Sequence, residues 1–245
     1  MNKKFSNIEV IIAIGDTHSL NLKPLFDRKI PKNVKNCIFF HVGDCGEGFD
    51  HVKKEDRFLR GVYQYLIDID SYLIICRGNH SDPAYFDDEH FQNKKFGDRI
   101  YFAPDYTVIE FNGKTAQIIG GGISIDRSDR IAGQSWWSKE VVNYMPENVK
   151  KVDILFTHVP PEDVPFQKAN ANPTVAHYHS IEAMTGDDLF GELAEERKIV
   201  QKISDASECS QHFYGHFHTS HLFFQQEKNR KYIGLGIDEI KEVIY

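Results

Sequence analysis

Asp16 with His18, Asp44, Asn79 with His80, His158, and His216 with His218 form five short clusters of residue types that bind metal ions or move protons. Each cluster directly follows a short apolar run, so its polar groups would emerge where buried strands end, the place where open α/β folds assemble their sites. In an extended strand end, residues i and i+2 point to the same side. Asp16 with His18, and His216 with His218, can therefore each aim two ligands at one place, and two such pairs can frame a binuclear centre. Carboxylate, imidazole and amide-oxygen donors without thiolate suit Mn, Fe or Zn and do not choose among the three. The chemistry implied is metal-dependent hydrolysis.

Those clusters need elements to hold them. Continuous apolar runs at 10–14, 37–42 and 72–76 predict strands covered on both faces. Between the second and third, Phe58, Val62, Leu66 and Ile69 recur at helical spacing among charged residues, which predicts a helix over 53–70. The order strand, helix, strand implies parallel pairing. Asn112-Gly113 between two apolar runs, 107–111 and 115–119, is a hairpin signal and should open a second, antiparallel sheet. Further strands are expected at 154–157, 212–214, 221–225 and 232–235, with helices at 138–143 and 186–204. Residues 160–185 contain four prolines and no clear period. A loop of that length in a compact domain is usually functional or disordered, and it directly follows His158, so it is either part of a lid or substrate wall or a plain surface loop.

A chain of 245 residues with 41% hydrophobic content can bury a large core, and a single domain over 1–245 is expected. The apolar run at 10–14 is too short for a signal peptide or a membrane span, so no membrane association is expected. The four cysteines, Cys37, Cys45, Cys76 and Cys209, show no C-x-x-C spacing, and three of them sit within or beside apolar runs. Reduced, mostly buried thiols are the reading, which points to the cytoplasm. A net charge of -7 gives no help to binding a polyanion, although bound divalent ions would make a local site more positive. Extended nucleic acid is therefore the lesser expectation as a partner.

The ordered blocks Gly15-Asp16-Thr17-His18, Gly43-Asp44-Cys45-Gly46-Glu47, Gly78-Asn79-His80, Thr157-His158 and Gly215-His216-Phe217-His218 resemble those of the calcineurin-like metallophosphoesterases. That family's blocks read GD-x-H, GD, GNH, H and GH-x-H. The resemblance implies a four-layer α/β/β/α sandwich of two mixed sheets flanked by helices. It implies that Asp16, His18 and His218 hold one metal, that Asn79, His158 and His216 hold the other, and that Asp44 bridges them. His80 matches the family's non-ligand histidine, which stabilises the transition state and protonates the departing oxygen. The implied reaction is hydrolysis of a phosphomonoester or phosphodiester by a hydroxide shared between two divalent ions, manganese foremost, with iron or zinc as alternatives.

One departure from the pattern concerns His80. The third block usually continues with an acidic residue, and here Ser81 stands there, followed by Asp82. Either Asp82 orients His80 from one position further on, or His80 is less well poised. Downstream, the run from Gly120 to Arg127, with Arg130, Trp136 and Trp137, resembles a pattern of bacterial and phage-type members. The glycines would let backbone approach a ligand closely, and Arg127 or Arg130 could clamp phosphate oxygens; a tight turn with surface arginines is the alternative. Trp136-Trp137 either stacks on an aromatic substrate or packs.

His41, His177, His179, His212 and His221 are left out of a ligand set already complete, and the acidic run at 187–196 reads as a solvated face. The competing function is a degenerate family member acting as a protein-binding scaffold, against which the intact ligands argue. Substrate class, whether phosphoprotein, nucleotide, cyclic nucleotide or nucleic acid, is not legible, because metals read only the phosphate. Oligomeric state is not legible either.

Overall fold

Two β-sheets carry the clusters in this computed structural model, which describes residues 2–18, 22, 25, 34–49, 52–87, 98–165 and 172–244. The five-stranded sheet has the order β12-β2-β3-β4-β5, built from Ile240–Glu242, Val10–Ile14, Cys37–His41, Tyr72–Ile75 and Ile100–Phe102. The seven-stranded sheet runs β1-β6-β7-β8-β9-β11-β10. Its strands are Asn2–Phe5, Thr107–Phe111, Lys114–Ile119, Ile154–Thr157, Gln211–Tyr214, Arg230–Gly234 and His221–Gln225. Both sheets are mixed. Strands β2 to β5 pair in parallel with antiparallel β12 at the edge, and β7, β8 and β9 are parallel neighbours.

The sheets pack face to face, because alternate residues of each strand point to opposite faces. Ile38 and Phe40 of β3 join the core between the sheets with Ile118, Phe156 and Phe213. Cys37 and Phe39 point the other way, into a second core under helix α1, Val52–Asp68. The outer face of the larger sheet is covered by α2, Pro173–Thr185, and α3, Leu189–Ser207, through Val175, Tyr178, Leu193 and Val200. This is the expected α/β/β/α sandwich. Phe156 ties the two halves together, stacked on Phe40 of the facing sheet at 4.3 Å and on Phe213 at 5.2 Å.

Several local expectations change. The hairpin holds: Asn112 and Gly113 both take positive φ, 47° and 76°, as a type I′ turn requires. The sheet it opens is mixed, however, because β7 continues into parallel pairing with β8. Residues 138–143 form no helix; buried Arg77 draws the carbonyls of Lys139, Glu140 and Val141 to its guanidinium instead. The stretch read as structureless over 160–185 contains α2, whose start is fixed by the Asn172 side chain accepting from Thr174 and Val175 N–H, with Pro173 at the first helical position. Residues 166–171 of that stretch lie outside the described residues. On α1 the inward stripe is Leu59, Val62 and Leu66, while Phe58 is half-exposed. Of the acidic run on α3, Glu196 is buried and accepts from the Ile123 and Val142 N–H groups.

Among the described residues no helix is long and apolar enough to cross a membrane. All four cysteines are buried and none is in a disulfide.

Candidate functional site

Five strands of two sheets end at one place. Asp16 follows β2, Asp44 follows β3, Asn79 and His80 follow β4, His158 follows β8, and His216 and His218 follow β9. Parallel pairing makes β2, β3 and β4 end side by side, and likewise β8 and β9. The Phe40–Phe156–Phe213 stack holds the two edges against each other from below. The chain then turns sharply: His18, Asp44, His216 and His218 all adopt left-handed backbone, with φ of 47°, 56°, 69° and 55°. Such conformations cost about 1–3 kcal/mol each and persist only where surrounding contacts over-determine them.

Those contacts run between clusters. The His18 N–H donates to the Asp44 carbonyl, the His80 N–H to Asp44 Oδ1, and the His216 N–H to Asp16 Oδ2, each at 2.8 Å. Gly78 and Gly215 are needed for the same reason. A Cβ on Gly78 would strike the Asp44 carboxylate, and one on Gly215 would strike that of Asp16.

The donor atoms converge in two groups. Ligand atoms of Asp16, His18, Asp44 and His218 all lie within 4.8 Å of one another, an arrangement able to hold a metal ion. On the other side of Asp44, His158 Nε2 is 3.3 Å from Asp44 Oδ2 and 3.0 Å from Asn79 Oδ1, and His216 Nδ1 is 3.1 Å from the same Asn79 oxygen. Neighbouring groups set the imidazoles. His158 Nδ1–H donates to the Val42 carbonyl at 3.0 Å, which turns Nε2 toward Asn79 and Asp44. Tyr178 of α2 meets His216 Nε2 and so leaves Nδ1 facing inward. Asp16, Asp44, Asn79, His158 and His216 are buried, whereas the rings of His18 and His218 border an open cleft of about 350 Å³.

The electrostatics call for positive charge. Asp16 Oδ1 is buried with no hydrogen-bond partner among the described residues, and burial raises its carboxyl to about 8, only partly opposed by His158. Burial would raise Asp44 as well, yet His158, His80 and His18 hold it well below the ordinary range. Burial alone would depress His158; Asp44 and Asp16 reverse that and lift it to about 9. His216 and His218 are depressed by burial, the latter to about 4, and stay neutral, as ligands must be. A buried carboxylate oxygen lacking a donor, in the same cluster as the neutral imidazoles of His216 and His218, fits a divalent cation.

The proton-moving candidates divide. His80 lines the cleft, its ring edge-on to His18 at 4.6 Å, and Arg130 Nη2 lies 2.9 Å from its Nε2. A guanidinium only donates, so Nε2 accepts here and the ring is neutral; burial first, then Arg130, depress it to about 4, against the pull of Asp44. Asp82 makes no ion pair with His80 among the described residues. Its carboxylate instead caps the turn Pro83–Phe86 by accepting from Ala84 N–H.

Arg127 lies outside the cleft lining and is engaged by Glu192 through two hydrogen bonds and by Asp187. Arg130, three residues on, is the arginine of the cleft, held by Ser124 Oγ, the Asn79 carbonyl and Asp126. His41 and His212 are packed histidines. His41 bonds Thr17 and the Gly43 N–H, and His212 bridges Thr157 and Ser204.

Three contributors escaped the sequence reading. Tyr178 and Thr174 of α2 contact His216 and His218, and buried Glu140 holds Ser124 beneath Arg130. Asn172-Pro173, a helix-start pair, is the one sequence signal that could have located α2.

A calcineurin-like phosphoesterase family profile matches residues 10–220. A search of curated proteins gave no match. Among solved structures, a protein of unknown function, AQ665 from Aquifex aeolicus, is similar at 15% identity and TM-score 0.38, over 88% of this chain and 81% of that one. A cold-active protein-tyrosine phosphatase of a Shewanella species is similar at 14% and 0.39, over 96% and 73%. A serine/threonine phosphatase from Saccharomyces cerevisiae is similar at 13% and 0.36, over 95% and 70%. Likenesses this slight bear no weight beside the family match and the five converging blocks, on which the assignment rests: the chain belongs to the calcineurin-like phosphoesterases.

Proposed function

We propose that the protein hydrolyses a phosphomonoester or phosphodiester at a binuclear divalent centre, with Asp44 between the ions. Asp16, His18 and His218 would hold one ion, and Asn79, His158 and His216 the other; manganese is the first choice, iron or zinc the alternatives. The observation that carries this reading is the convergence, within 4.8 Å, of two buried carboxylates, Asp16 and Asp44, with the imidazoles of His18 and His218. When bound, the ions supply charge neutralisation at the phosphate and a water acidic enough to attack at neutral pH.

The chain's own groups do the rest. Arg130 and His80 face the cleft together and would donate to the phosphoryl oxygens as charge builds. A phosphate anion in the cleft would favour the protonated imidazole, and His80, having taken up a proton from solvent, would then give it to the departing oxygen. The permanently charged guanidinium beside it supplies the positive field that an acidic partner at position 81 would otherwise stabilise on the imidazole. Four buried thiols agree with a cytoplasmic setting.

The test is phosphate release from p-nitrophenyl phosphate and its bis ester with Mn²⁺. Activity abolished by EDTA, restored by Mn²⁺, and lowered about 10²–10⁴-fold by His80→Ala supports the reading. Equal activity in the wild-type, His80→Ala and Asp44→Ala proteins would refute the assigned site and leave the scaffold alternative.

A further inference from the structure

A second recess, of about 470 Å³, is lined by Asp82, Pro83, Ala84, Ala132, Gly133, Trp136, Trp137 and Lys139 among others. Its walls are direct continuations of cleft residues. Asp82 to Ala84 follow His80, and Ala132 to Trp137 follow Arg130. Phe49 stands between the two spaces, its ring 4.7 Å from that of His80 and 6.4 Å from that of Trp137, with the Arg130 guanidinium 5.1 Å from its centre. Aromatic rings thus succeed one another from His18 through His80 and Phe49 to Trp137.

Trp136 is held in place, and the carbonyl of Trp137 accepts from the Glu140 N–H. The Ile131 carbonyl accepts from the N–H groups of Gln134, Ser135 and Trp136, the Gly133 N–H donates to the Trp136 carbonyl, and the Trp136 indole donates to Glu140. Both rings are only half-buried, so packing alone does not use their faces.

We propose that this recess takes a planar aromatic group carried by the phosphoester, a nucleobase being the chemical class it fits. The phosphate's position at the metals rests on the function proposed above. Preset aromatic faces bind bases by stacking, largely irrespective of base identity. The volume lies in the range of small-molecule sites. Asp82 and Lys139 place a carboxylate and an ammonium among the lining groups, where ring nitrogens and amino groups can meet them. Asp82 then acts as part of this wall and not as a partner of His80.

The experiment compares adenosine 5′-monophosphate with ribose 5-phosphate, the same phosphate without the base, by calorimetric titration of the Mn²⁺-loaded full chain. Binding at least about tenfold tighter for the nucleotide, with most of that preference lost in Trp137→Ala and kept in Trp137→Phe, is the expected result. Ribose 5-phosphate affinity should be unchanged in both variants, which also reports their folding. Equal affinity of the two ligands for the wild type, binding of neither, or an equal loss of both in Trp137→Ala overturns the proposal; the wild-type comparison stands even if a variant fails to fold. Base-dependent binding without hydrolysis of any phosphoester would defeat the phosphoesterase reading alone, and hydrolysis without base preference would defeat this one alone.

Discussion

The Tyr178 hydroxyl lies 2.7 Å from Nε2 of His216, on the side of the ring opposite the nitrogen that meets Asn79 and His158. A phenol there fixes the imidazole's tautomer and orientation, the task of an outer-shell partner in a metal site. Tyr178→Phe should weaken binding of the second Mn²⁺ by about 10–100-fold while kcat at saturating metal stays near wild type. Calorimetric Mn²⁺ titration checks this, and an unchanged second binding constant refutes it.

Arg130 and Arg127 should separate cleanly. Loss of the cleft guanidinium in Arg130→Ala should lower kcat by about 10²–10³-fold, the usual cost of one missing donor to a developing charge. Arg127→Ala removes only a partly exposed pair with Glu192 and Asp187, so kcat should hold within about twofold and stability should fall by about 1 kcal/mol or less. Steady-state kinetics of both variants decide the matter, and the reverse ranking would return the clamp to Arg127.

Glu140 gives a pH dependence with a definite sign. Burial, opposed by hydrogen bonds from Ser124 and Trp136, raises its carboxyl from the ordinary 4.5 to about 7. Folding therefore favours the protonated acid; that contribution is complete below about pH 4.5 and is lost as pH rises through 7. Glu140→Gln copies the protonated form. Its Tm should match wild type near pH 5 and exceed it by about 3 °C or more at pH 8. A Tm lowered equally at both values would show that the carboxylate itself is required.

Phe156→Ala removes the ring that joins the sheets by stacking on Phe40 of the facing sheet, with Phe213 beside it in its own sheet. A loss of about 3–5 kcal/mol in denaturant unfolding is expected, since the site allows little collapse between two sheets. A loss below 1 kcal/mol would mean that the stack is not what holds the two edges together.

The converging side chains were legible in the sequence because each is tied to a strand end by local chemistry: an apolar run, then a polar residue, with a glycine between them in every block but that of His158. The hairpin was legible through Asn112-Gly113, whose φ angles few other pairs accept. What was not legible depends on distant partners. Helix α2 carries its apolar residues around much of its circumference and begins among prolines, so no single stripe marks it. Arg127 and Arg130 follow the same turn with the same side chain, and it is distant partners, Asp187 and Glu192, that draw Arg127 away. Short edge strands such as Ile100–Phe102 and Ile240–Glu242 owe their existence to the neighbours they pair with.

The room left by Gly215 for Asp16, by Gly78 for Asp44 and by Gly43 for His158 makes the five blocks a mutual fit. A methyl group added to the last block would displace a side chain of the first, two hundred positions away. Grafting one block from a relative should therefore fail unless its counterpart travels with it, and attempts to retune the metal preference will need paired libraries drawn from both sheets.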